Sequence, residues 1–419
     1  MNRKWPFIFF ITLLSGIGLW YGAQMFLKLE PASSNQAATL LPTNPPEATL
    51  SPQQIKSESP PPTLEPIAAH TDAQAEETHT EETLQQLVEL KLSELTLKEK
   101  IGQLLIVGIE DQGKSISKAT KQLIHEQGIG SIILFKRNIS STQQLQALVK
   151  ELKQLPAHGI PLWVTLDQEG GRVNRLPDSF PAASELAALN DAALTEASGS
   201  LMGEALADLS IDVNFAPVLD INNNPDNPVI GSRAFGDTAD EVVEHGMAMM
   251  RGLSDHVITV GKHFPGHGDT SSDSHYELPI INKSWSELEQ LELVPFRAAI
   301  EQDIDAIMIG HLYLPQIDER YPASLSPTII NEYLRKELGF EGIVMTDDLV
   351  MGGITEHYEI GEAAVLALQA GNTMLIVGHQ PKQQQAVIEA LVGAVEQHVL
   401  DEVLIDEAVK LVLRMKLNT

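Results

Sequence analysis

Fourteen residues in the middle of the chain carry a dense set of reactive side chains. They read Lys262-His263-Phe264-Pro265-Gly266-His267-Gly268-Asp269-Thr270-Ser271-Ser272-Asp273-Ser274-His275. The Gly, Pro, Ser and Asp content marks a surface or site-lining loop. No helix period or strand alternation asks for three histidines, two aspartates and a lysine in this space. The chemistry lies in Asp273-x-His275. A carboxylate two residues from an imidazole can accept its ring N–H, fix its tautomer and support positive charge on the ring, as an acid/base histidine requires. Metal binding by His263, His267 and His275, with Asp269 or Asp273 beside them, is the competing chemistry. Their spacings match no zinc pattern, so no metal and no cofactor is expected. A solvated polar loop is the third reading.

Such groups need a frame that brings distant residues to one place. Eight nearly continuous apolar runs, at 104–109, 131–135, 162–166, 213–218, 258–261, 306–309, 342–346 and 373–377, read as strands buried on both faces. Helical patterns alternate with them. Thr96 with Glu99, and Ser284 with Glu287, form capping boxes. Ser326 precedes Pro327 at a helix start, and the last helices are expected over 381–397 and 401–416. The alternation fits an α/β fold, a single (β/α)8 TIM-type barrel, with a doubly wound open sheet as the competitor. In a barrel, catalytic groups sit at the C-terminal ends of strands. Asp167 follows the third run, Asp220 the fourth with Arg233 beyond it, Lys262 and His263 the fifth, His311 the sixth, and Asp347 and Asp348 the seventh. Asp347 is the nucleophile candidate, its ionised form kept by a cationic field to which Lys262 and Arg233 contribute. Asp348 is expected to cap the next segment.

Composition excludes other classes. The 419 residues include 43% hydrophobic residues, as in globular proteins. A net charge of −29 argues against nucleic acid as a partner. The absence of cysteine excludes disulfides, thiolate sites and a lipid-bearing cysteine. Arg3 and Lys4 precede an apolar run from Trp5 to about Leu27. That run matches the ~20 residues that cross a bilayer. Residues 1–29 are therefore expected to form an uncleaved transmembrane anchor, or else a secretion signal, with the remainder on the extracytoplasmic side. Nine prolines between Pro31 and Pro66 mark residues 30–82 as a disordered linker. The catalytic barrel is assigned to 83–419, and a monomer is expected.

The string Lys-His-Phe-Pro-Gly-His-Gly-Asp-Thr-x-x-Asp-Ser-His at 262–275 closely resembles the β-N-acetylhexosaminidase branch of glycoside hydrolase family 3. Residues 95–103, Leu-Thr-Leu-Lys-Glu-Lys-Ile-Gly-Gln, resemble the opening of that family's catalytic domain. The resemblance favours the barrel over the open sheet. It implies His275 as acid/base oriented by Asp273, Asp347 as nucleophile, and Asp167, Arg233, Lys262 and His263 as holders of the sugar hydroxyls. It also implies retaining hydrolysis of terminal β-linked N-acetylglucosamine from cell-wall muropeptides. His311 and Arg172 are weaker site candidates, and His267 and Asp269 are expected to shape the loop. Two alternatives remain: a β-N-acetylglucosaminide phosphorylase, and a non-catalytic wall-binding barrel on a tether.

Overall fold

A computed structural model describes residues 70–155 and 158–418, with side chains from residue 81 onward. The expected membrane segment at 1–29 and most of the proline-rich linker lie outside the described residues. Among the described residues, no helix is long and apolar enough to cross a membrane. The barrel boundary expected at Thr83 falls inside a helix that runs His70–Glu94. Prolines stop at Pro66, so nothing in the following Ala-, Glu- and Thr-rich stretch breaks a helix.

Eight parallel strands follow, β1 (Leu105–Gly108), β2 (Ser131–Ile133), β3 (Trp163–Leu166), β4 (Val213–Asn214), β5 (Ile258–Phe264), β6 (Ala306–Ile309), β7 (Ile343–Asp348) and β8 (Met374–Val377). They close in sequence order, with β1 paired to β8. The open-sheet alternative is thereby excluded. Each strand lies at one of the expected apolar runs. β4 is shorter than expected because Pro217, which has no N–H to give a ladder, follows closely.

The helices start where side chains can satisfy their free N–H groups. Thr96 and Glu99 form a reciprocal capping box, as do Ser284 and Glu287. Ser326 Oγ accepts from Ile329 N at 3.1 Å, so the serine before Pro327 does cap its helix. The closing helices run Pro381–Glu396 and Glu402–Leu417.

Two departures from regular register serve the rim. In a regular strand, neighbouring side chains point to opposite faces. The β5–β6 register shifts between Lys262 and Phe264, and the β7–β8 register between Met345 and Asp348. Such irregularities re-aim side chains. Both fall at the C-terminal ends, where Lys262 with His263, and Asp347 with Asp348, line one cavity as adjacent pairs.

The barrel seam is sealed by Gln384. This buried side chain donates to Gly108 O at 2.9 Å and Val377 O at 3.1 Å, clamping the ends of β1 and β8. Gln384→Leu removes both of these bonds from a buried strand end. It should lower unfolding stability by about 2 kcal/mol, read as a shifted urea midpoint. An unchanged midpoint would show that the seam does not depend on this clamp.

Candidate active site

A cavity of about 470 Å³ opens at the C-terminal end of the barrel. It is lined by Asp167, Arg233, Lys262, His263, His275 and Asp347, and Glu169 and Arg175 join them. Of the residues singled out from sequence, Asp273, Asp220, His311, Arg172 and Asp269 stand outside the lining, and Asp273 supports His275 from there. A larger cavity of about 670 Å³ lies at the opposite end, around Trp163, Asp212, Ile258 and Asp305 at the strand starts. That end of a barrel carries stability rather than chemistry.

The floor is a buried lattice of charges. Lys262 is 1% exposed. Its Nζ donates to Asp167 Oδ1 at 2.9 Å and lies 2.6 Å from Glu169 Oε1. Glu169 also takes a two-pronged contact from Arg233, with Nε and one Nη each at 2.8 Å. Arg175 reaches the second oxygen of Asp167 at 3.3 Å. Burial alone would raise the carboxyl pKa values. The fields of Lys262 and Arg175 hold Asp167 below the usual range, and those of Arg233 and Lys262 do the same for Glu169. Burial would likewise lower the Lys262 pKa, but Asp167 and Glu169 raise it.

Glu169 reaches this lattice because the chain reverses directly after it. Gly170, at φ +90°, carries the turn, and a Cβ there would lie 2.1 Å from Pro181 O. Glu169 N then bonds Val173 O. Gln168 holds the returning strand by accepting from Arg175 N at 2.8 Å and Leu176 N at 3.0 Å.

His263 is set by Asp220. The fully buried carboxylate accepts from His263 Nδ1 at 2.7 Å and from the backbone N–H of His263 and His267. The Nε2 face of His263 is left toward Arg233, at 3.4 Å. Asp220 is ionised against its burial by His263.

Asp347 is half-buried in the same rim. Burial pushes its pKa up, but the imidazoles of His263 and His311 and the backbone N–H of Asp348 outweigh it and bring it down to about 2. This corrects the expected source of the field. Lys262 and Arg233 are already neutralised by Asp167 and Glu169, so imidazoles and a backbone dipole stabilise Asp347. Asp348 N donates to Asp347 Oδ1 at 2.7 Å. Asp348 itself caps, accepting from Val350 N at 3.2 Å and Gly378 N at 3.0 Å. It also receives His379 Nδ1 at 3.1 Å, while His379 Nε2 accepts from Arg137 at 3.0 Å. A ring that donates at one nitrogen and accepts at the other is a neutral brace, fixed against Phe135 with ring centroids 4.4 Å apart.

His275 stands at the edge of the cavity with its side chain 60% exposed. Asp273 Oδ1 accepts from its Nδ1 at 2.7 Å and from its backbone N–H at 2.9 Å. That fixes Nδ1 as the donor and leaves Nε2 without a protein partner among the described residues. The loop below is rigidly braced. His267 is buried, with Nδ1 against Thr270 Oγ1 and Nε2 against Ser274 Oγ, both at 3.0 Å. Burial first, then the neighbouring His263, brings its pKa down to about 4. Asn227 Nδ2 donates to His267 O and Gly268 O at 2.9 Å each, and Asp269 pairs with Lys283 at 2.6 Å. His267 and Asp269 therefore shape the loop.

Two weaker candidates have structural posts. His311 is fully buried, with Nδ1 on Ser324 Oγ at 2.8 Å and Nε2 on Asp348 O at 3.0 Å. Neither nitrogen is left for a ligand. Arg172 donates to the carbonyls of Val229 and Ile230 and pins the loop that carries Arg233. It makes no salt bridge among the described residues.

Sequence reasoning missed Glu169, Arg175 and His379 as members of this site, and placed Asp220 at the rim without a role. The signal for the first two was present, since both lie within eight residues of Asp167 in one Gly-turn motif. Among the described residues no group of three or more His, Asp or Glu side chains is arranged to hold a metal ion.

This site has relatives. Residues 96–415 match the family described as Glycosyl hydrolase family 3 N terminal domain. A β-hexosaminidase from Methylococcus capsulatus is 36% identical over 286 residues, covering 67% of this chain and 84% of that protein. Another from Alkalilimnicola ehrlichii is 38% identical over 297 residues, covering 68% and 84%. The structure of a family 3 β-N-acetylglucosaminidase from Paenibacillus sp. strain FPU-7 superposes with a TM-score of 0.74 at 42% identity, over 77% of this chain and 62% of that one. A β-N-acetylhexosaminidase from Beutenbergia cavernae gives 0.72 at 29% identity, over 77% and 98%. With the family match spanning the whole barrel and such relatives on both sequence and structure, the chain belongs to glycoside hydrolase family 3, in its β-N-acetylhexosaminidase branch.

Proposed function

We propose that the chain is a retaining exo-β-N-acetylglucosaminidase. One observation carries the reading. An ionised, half-buried carboxylate, Asp347, and a carboxylate-supported imidazole with an open Nε2, His275, face one cavity floored by paired charges. The names of the β-hexosaminidase and β-N-acetylglucosaminidase relatives support the same substrate class.

Each step then has a group. Asp167, Arg233, Lys262 and His263 hold the hydroxyls of the terminal sugar by charged hydrogen bonds, which are strong and directional. Arg175 and Glu169 extend that set. The Asp347 carboxylate attacks the anomeric carbon as the glycosidic C–O bond breaks. The His275 imidazolium, its charge offset by Asp273, gives its Nε2 proton to the departing oxygen. Neutral His275 next takes a proton from water, which displaces Asp347 from the same carbon. Two inversions return the original configuration. The resulting activity is a β-N-acetylhexosaminidase that uses an Asp–His pair where many glycosidases use a second carboxylate.

For the natural substrate we propose cell-wall muropeptide fragments bearing terminal N-acetylglucosamine. The basic and then apolar N-terminus and its proline-rich continuation support a barrel tethered on the extracytoplasmic side of the membrane.

Full-length protein should release nitrophenol from the aryl β-N-acetylglucosaminide and not from the aryl β-glucoside. Asp347→Asn should lower kcat by about 10³-fold or more with unchanged circular dichroism. A phosphate-dependent rise with sugar 1-phosphate as product would move the activity to a phosphorylase. No release by folded protein would favour the wall-binding alternative.

His275→Ala should cost about 10²–10⁴-fold on a saccharide leaving group and far less on a dinitrophenyl one, which leaves without a proton. Equal losses on both substrates would remove His275 from the acid role.

The pH profile follows from the nucleophile. The reaction needs ionised Asp347, and its pKa lies down near about 2. For the dinitrophenyl substrate, kcat/KM should therefore stay flat from neutrality down to about pH 4. A decline with an apparent pKa above about 4 would contradict this electrostatic picture.

A further inference from the structure

Tyr276 is the only strongly exposed aromatic side chain among residues 81–418, at 74%. A lone exposed apolar residue is ordinary on a protein surface. Its position here is not. It directly follows His275, at the end of a loop that is otherwise Gly, Ser, Thr, Asp and His from Gly266 onward.

The backbone beneath it is pinned on two sides. Tyr276 N donates to Asp273 O at 3.0 Å, within the same turn that locks Asp273 to His275. Gly352 N donates to His275 O at 3.0 Å, and Gly353 N to Ser274 O at 3.1 Å. The contact is close. A Cβ on Gly352 would lie 2.7 Å from Tyr276 O and 2.9 Å from His275 O. Gly352 in turn follows Val350 and Met351, which line the cavity with Ser274 and His275. Tyr276 is therefore held at the rim between two stretches of cavity wall. Its hydroxyl has no hydrogen-bond partner and its ring no aromatic partner among the described residues.

The reaction assigns a side to that rim. In the hydrolase reading, on which this inference rests, His275 delivers its proton to the glycosidic oxygen. The leaving group must therefore lie on the His275 side of the cavity. A pyranose ring presents an apolar C–H face edged with hydroxyls. A tyrosine ring presents an apolar face with one polar tip, and loses little conformational freedom when it is covered. We propose that Tyr276 is the platform on which the first sugar of the leaving group stacks, so that it sets the preference for saccharide over small leaving groups. Its free hydroxyl is available to bond a ring hydroxyl of that sugar.

The test compares full-length native protein with Tyr276→Ala and Tyr276→Phe on two substrates. N,N′-diacetylchitobiose carries a sugar leaving group, and methyl β-N-acetylglucosaminide a single carbon. The ratio of kcat/KM for the disaccharide to that for the methyl glycoside should fall about tenfold in Tyr276→Ala, mostly through KM. Tyr276→Phe should retain most of the ratio. A ratio unchanged in Tyr276→Ala would overturn the proposal. So would an equal fall on both substrates, which would mark Tyr276 as a structural part of the loop. If native protein cleaves neither substrate, the hydrolase reading fails and takes this inference with it.

Discussion

Burying Asp167, Glu169, Lys262 and Arg233 together is the constraint on which the site depends. A single unpaired charge at this depth costs several kcal/mol. Two anions and two cations removed from water must therefore meet in good geometry or not be there at all. Their contacts tie the loop after β3, the loop after β4 and the end of β5 to one another. The cluster thus fixes the rim as well as its polarity. It also gives the floor several charged donors and acceptors whose positions are set before any sugar arrives, which removes the ordering cost from binding.

Among the described residues, that arrangement leaves Asp347 without a nearby free cation, and the rest of the site compensates. The irregular end of β7 aims Asp347 and Asp348 into one cavity, and the N–H of the second carries part of the charge of the first. Arg137, His379 and Asp348 form a relay of hydrogen bonds that immobilises this strand end from behind. On the other side, Asp220 orients His263 and grips the base of the long loop through His267 N. Asn227 and Thr270 extend the grip along the loop. Only at its far end does the loop become exposed, where Asp273 and His275 meet bulk water. That exposure suits the giving and taking of protons proposed for His275.

The fold was largely legible in the sequence because the strands of a parallel barrel are nearly continuous apolar runs and several helices carry a side-chain cap. Thr96, Ser284 and Ser326 announced helix starts that the structure keeps. The residues at the strand ends were legible for the same reason: polarity right after a buried run has few structural uses. Partners were harder to read. Glu169 sits two residues beyond Asp167, and its contact with Arg233 spans 64 residues. Asp220 was placed correctly but had no visible role, since its partners follow it by more than 40 residues. His311 looked like a site residue by position alone, yet Ser324 and Asp348 occupy both its nitrogens. Local pattern cannot reveal whether a polar side chain is already satisfied by the fold.

The central claim is that the half-buried carboxylate of Asp347 becomes bonded to the sugar. The most direct measurement is peptide mass spectrometry of full-length protein quenched with a slow-turnover fluorinated N-acetylglucosaminide. The account predicts one sugar adduct, on the peptide and residue of Asp347, lost in Asp347→Asn. Turnover of the same compound with no adduct, or with an adduct on another side chain, would contradict it. The first of these would point to the acetamido group of the substrate as the nucleophile instead.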